Sequence, residues 1–194
     1  MSALEVSPLK SQNFEFLRSK RESFADLAGF AEGYVHSDPA SSLMKQRGFV
    51  EQFVVAIYEA YQLQLPYSDG LYELMTEDSF RRTVPPAVQD LLHLIRKSGN
   101  HAVHPKREIR SSESRERLGM LFRLASWFHL QVDRGAREDV PDYQEPPERV
   151  RSDMPEHMLE RVRVAESRYE ETLTKLQEEQ SRRLAAERAA TERA

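Results

Sequence analysis

The sequence predicts an all-α protein: an up-and-down helical bundle followed by a long charged helix. Three observations lead there. Apolar residues recur at spacings of three and four over most of the first 130 positions, the signature of amphipathic helices. No stretch alternates apolar and polar residues in the manner of a half-buried strand. Only 7 glycines are spread over 194 residues, too few for an all-β chain that turns roughly every ten residues.

Composition narrows the function. The chain carries 28 Lys and Arg against 32 Asp and Glu, a net charge of -4, so attraction to nucleic acid must be local rather than global. Without cysteine there are no disulfides, no thiolate metal ligands and no Cys nucleophile. The start, Met-Ser-Ala-Leu-Glu-Val, does not read as a signal peptide, and no apolar run reaches membrane-span length. These features predict a cytoplasmic protein with no membrane partner.

The elements follow in order. Phe14, Leu17, Phe24, Leu27, Phe30 and Tyr34 mark a first helix with ill-defined ends. Ser37-Asp38-Pro39 then restarts the helix, because Ser or Asp can cap and Pro suits the first turn. Leu43, Val50, Phe53, Val54, Ile57, Tyr58 and Tyr61 form a broad apolar stripe that needs a partner surface, which makes this the central helix, ended by Leu65-Pro66. One short helix is expected within Asp69 to Phe80. Pro85-Pro86 opens another, carrying Val88, Leu91, Leu92, Leu94 and Ile95 and closed by Pro105. A last bundle helix spans Ser112 to Leu130. Residues 1–132 are therefore expected to form the bundle domain, and 133–153, rich in proline and carboxylates, an irregular linker.

Residues 154–194 read as a charged helical connector. Leu159, Val162, Ala165, Tyr169, Leu173 and Leu176 give a coiled-coil-like seam of about two heptads. The charges balance and suit i,i+4 pairs, which equally describes a single solvated helix. The pattern reaches Ala194 without a cap, so the helix is expected to be truncated there.

One segment concentrates chemistry: Leu94-Ile95-Arg96-Lys97-Ser98-Gly99-Asn100-His101-Ala102-Val103-His104-Pro105. On a continuous helix Arg96, Asn100 and His104 share a face. Gly99, about 1 kcal/mol worse than Ala in a helix interior, could instead break it and let Asn100 cap the next turn. An imidazole and a guanidinium held together suit metal-free RNA cleavage, the first as proton carrier and the second as stabiliser of phosphate charge. The structural alternative has Arg96 and Asn100 satisfying loop carbonyls. Lys97, Lys106, Arg107 and Arg110 add a local basic excess suited to phosphates. No histidine pair has metal-ligand context, so no metal and no cofactor are expected.

A family resemblance covers roughly residues 13 to 150. Asn13-Phe14-Glu15-Phe16-Leu17, Ala31-Glu32-Gly33-Tyr34, His36-Ser37-Asp38-Pro39, Leu43 to Glu51, Tyr72-Glu73-Leu74-Met75, Val84-Pro85-Pro86-Ala87-Val88, Leu94 to His104 and Trp127-Phe128-His129 follow one another in sequence. This series resembles the helical N-terminal domain of type I restriction enzyme R subunits and related DEAD/DEAH-type helicase–nucleases. Its most specific string is Arg96-x-x-Gly99-Asn100-x-x-x-His104. The domain is in turn similar to the HEPN superfamily of helical bundles, many dimeric and some of them RNases that use an Arg followed after four to six residues by His. Here Arg96 to His101 leaves four intervening residues and Arg96 to His104 seven, and Lys97 follows Arg96 where Asn, Asp or His is more usual. The resemblance therefore implies a non-catalytic interaction and oligomerisation module of an anti-phage restriction enzyme. It would pair with itself, with other subunits of the complex or with DNA or another nucleic acid. The alternative is a metal-independent RNase using Arg96 with His101 or His104.

Overall fold

The computed structural model describes residues 10–67, 70–103 and 108–148. The expected helix over 154–194 with its seam, together with His104, Lys106 and Arg107, lies outside the described residues. Among those described there are six α-helices, no strand, and no helix long and apolar enough to cross a membrane. They belong to one compact unit, Ser7–Val150.

The first expected helix is divided. A 3₁₀ turn, Glu15–Leu17, precedes α1 (Glu22–Tyr34), with Arg21 in a non-helical conformation between them (φ -141°, ψ 67°). Helix α2 (Pro39–Ala60) starts as its sequence dictates. The Asp38 carboxylate accepts from the Ser41 amide at 3.1 Å and the Ser41 hydroxyl at 2.7 Å, with Pro39 in the first turn. It ends five residues before Leu65-Pro66. Gln62 takes the left-handed conformation at φ 51°, and the Leu63 amide reaches back to the Tyr58 carbonyl at 2.9 Å. This is a Schellman closure made without glycine.

Two short helices replace the one expected after it: α3 (Leu71–Thr76) and α4 (Asp78–Thr83), separated by an extended Glu77. Helices α5 (Pro86–Val103) and α6 (Ser111–Gln131) fall close to their predicted limits. The Ser42 hydroxyl bonds the Ala31 carbonyl while Phe24 meets Phe49, so α1 and α2 run antiparallel. Gly99 lies against Leu43 and Arg47, which sets the end of α5 beside the start of α2. Gln46 bonds the Ser114 carbonyl and Phe53 packs on Trp127 and Phe128, so α6 runs parallel to α2. The result is an up-and-down bundle centred on α2.

Its core takes in the predicted stripe from Leu43 to Tyr58, with Phe49 added to it and Tyr61, expected inside, left exposed just past the end of α2. Phe49, Phe53, Ile57, Leu92, Ile95, Leu121, Leu124 and Phe128 are fully buried. Residues 133–148 are irregular apart from a 3₁₀ turn at Arg137–Asp139, as their composition predicts. They do not hang free. Asp133 pairs with Arg21 at 2.8 Å, Asp139 holds the buried His129 ring at 3.1 Å, and Val140 is buried.

Candidate functional site

Residues 96–103 lie on α5, which meets α2 at Gly99. A Cβ at Gly99 would overlap the Arg47 Cβ and sit 3.0 Å from the Leu43 carbonyl oxygen. Glycine is therefore required by packing, not by a break, and α5 continues through it to Val103. The helix places the neighbouring side chains at fixed azimuths, roughly 100° per residue.

Arg96 is half-buried. Its guanidinium carbon lies over the Tyr72 ring, 5.0 Å from the centroid, and its Nε is buried with no hydrogen-bond partner among the described residues. His93 lies against the same ring at 6.3 Å. Burial, then the charges of Arg96 and Lys97, push the His93 imidazole below its ordinary value. Asn100, one turn beyond Arg96, is exposed. The loop carbonyls anticipated for it belong to residues 104–107, outside the described residues.

His101 is five residues from Arg96, roughly 140° around the helix. Its Nε2 is buried without a partner among the described residues. Arg96 and His101 thus leave α5 toward different surroundings, and the second candidate histidine, His104, is outside the described residues. Of the basic residues, Lys97 and Arg110 are exposed. An open polar groove of about 700 Å³ lies at the start of α6, where Arg110 and Arg117 alternate with Glu108, Glu113 and Glu116 beside Ser112. The groove itself thus presents three carboxylates and two guanidinium groups. Arg117 also reaches the Ser98 hydroxyl at 2.9 Å, tying α6 to the same part of α5. No group of three or more His, Asp or Glu among the described residues is arranged to hold a metal ion.

Sequence reasoning did not bring Tyr72 or His93 to Arg96. The signal was present only as an aromatic in the Tyr72-Glu73-Leu74-Met75 string, 24 positions upstream of Arg96. It also missed the buried Asn13, whose partners lie near residues 32 and 144.

No family model matches the chain, and no solved structure matches it. Over 134 residues it is 29% identical to the type I restriction enzyme EcoKI endonuclease subunit of Escherichia coli (strain K12). That stretch is 69% of this chain and 11% of the length of the E. coli protein.

Proposed function

We propose that this chain is a non-catalytic, HEPN-like interaction module of a type I restriction-type helicase–nuclease, working in anti-phage defence in the cytoplasm. Its bundle docks a second copy, other subunits of the complex, or nucleic acid. ATP hydrolysis and DNA cleavage belong to other parts of such an enzyme. The observation that carries this reading is the likeness to the EcoKI endonuclease subunit, which takes in two-thirds of this chain and about a ninth of that protein.

The site supports a binding role over a catalytic one. The Arg96 guanidinium rests on Tyr72, and His101 lies well round the helix from it. General acid–base cleavage of RNA needs both groups within hydrogen-bond reach of one phosphodiester. The test combines light scattering of the chain at micromolar concentration with a cleavage assay on single-stranded RNA in chelator. A dimer without cleavage is expected. Chelator-resistant cleavage lost in both Arg96→Ala and His101→Ala, at unchanged melting temperature, would replace this reading with the RNase one.

A further inference from the structure

Residues 140–146 cross the bundle in a pattern that a mere connector does not need. Every third residue turns inward: Val140 and Pro146 are buried, and Tyr143 is half-buried between them. Three is the period of an extended polyproline-type helix, which makes no internal backbone hydrogen bonds and presents one face to a groove.

Four consecutive residues are each met by a different side chain of the bundle. The Tyr143 ring packs on Phe122 at 5.2 Å. The Gln144 backbone is bonded twice by one residue: its amide donates to Asn13 Oδ1 at 2.8 Å, and its carbonyl accepts from Asn13 Nδ2 at 2.8 Å. Glu145 pairs with Arg115 at 2.6 Å. The Pro146 carbonyl faces His36 Nε2 at 2.8 Å. The reader of the backbone is set in advance. Asn13 is fully buried, its Nδ2 also donates to Glu32, and Glu32 is held by the Ser11 hydroxyl at 2.6 Å and the Gln12 amide at 2.8 Å.

From this geometry we infer that the face formed by Asn13, His36, Arg115 and Phe122 is a peptide-recognition groove, occupied in cis by Tyr143-Gln144-Glu145-Pro146. Its ligand is an extended segment of the form Tyr-x-Glu-Pro. Asn13 reads the backbone of the second residue and Gln12 donates to its side-chain oxygen, Phe122 meets the ring, Arg115 the carboxylate, and His36 the carbonyl of the proline. A protein partner carrying such a segment competes with the chain's own. The inference does not depend on the restriction-enzyme reading.

The probe is a labelled nine-residue peptide copying positions 140–148, titrated by fluorescence anisotropy into two full-length chains. One is unaltered. The other carries Tyr143→Ala and Glu145→Ala, which loosen the strap in place. The loosened chain binds the peptide saturably, and the unaltered chain binds it at least about tenfold more weakly, because its groove is filled. Replacing the peptide's tyrosine by alanine weakens binding by about tenfold, as loss of an aromatic anchor does. As a second measurement, circular dichroism of the loosened chain keeps the helical signal and melting midpoint close to those of the unaltered chain. Absent or tyrosine-independent binding by a folded, loosened chain overturns the inference. So does collapse of the helical signal on loosening, which would make the strap a fixed part of the core.

Discussion

Replacing Gly99 by alanine tests the packing of α5 on α2 beside Arg96 and Asn100. In an open helix interior the change stabilises by up to about 1 kcal/mol, because alanine loses less backbone entropy on folding. At Gly99 the added methyl meets the Arg47 Cβ and the Leu43 carbonyl, both fixed close to the α2 backbone. Neither can swing aside as a long side-chain tip would, so α5 must move off α2 and open the contacts around Ile95 and Ala102. Overpacking of this kind costs about 1–3 kcal/mol. The net expectation is a loss of about 1–2 kcal/mol. Gly33 supplies the control. It lies in α1, where an added methyl would find nothing within 4 Å, so Gly33→Ala gains up to about 1 kcal/mol. Urea unfolding followed by circular dichroism at 222 nm reads both, with the slope unchanged and the midpoints moving in opposite directions. If Gly99→Ala stabilises as much as Gly33→Ala, α5 does not approach α2 as described, and the explanation of the glycine in the motif fails.

Three further outcomes are expected. Phe53 is fully buried among Phe49, Trp127 and Phe128, so Phe53→Ala costs about 3–5 kcal/mol in chemical denaturation; less than about 1 kcal/mol would misplace the central helix. Asn100→Ala changes stability by no more than about 0.5 kcal/mol, since the side chain is exposed. Arg96→Ala loses about 1 kcal/mol with the Tyr72 contact, and equal effects at the two positions in parallel melts would contradict the arrangement. The hydrogen bond from His129, then the Ala136 amide, hold the Asp139 carboxyl below its ordinary value. A depressed folded-state pKa gives stability that is present above the unfolded value and lost as pH falls through the folded one. Asp139→Asn therefore flattens the acid limb of a stability–pH profile, and an unchanged acid limb in the variant would contradict the pairing.

What was legible in the sequence is what local chemistry determines. Asp38-Pro39 starts α2 because a carboxylate and a fixed φ act within one turn, and the proline pair at 85–86 opens α5 on the same grounds. The apolar stripe of α2 gave its core residues from Leu43 to Tyr58, because burial follows the 3.6-residue period, but not Tyr61, which lies past the helix end and is exposed. The misplaced boundaries have equally local causes that residue type does not announce. Gln62 accepts a left-handed conformation usually left to glycine, and Glu77 is extended between helices with no Gly or Pro to signal it.

The segment that stood out chemically separates, once folded, into unlike parts. Gly99 is where α2 and α5 touch, Arg96 is laid on an aromatic ring, and Asn100 faces solvent. Their spacing suggested one site because a helix repeats every 3.6 residues, but only the neighbouring helices decide which face is covered. The strap shows the converse. Proline and carboxylates in 133–147 do predict irregular backbone, yet irregular backbone is not free backbone. Asn13, 131 residues from Gln144 in sequence, supplies both hydrogen bonds that a strand neighbour would otherwise make. No window on the sequence connects those two positions, and only the closed bundle brings them together.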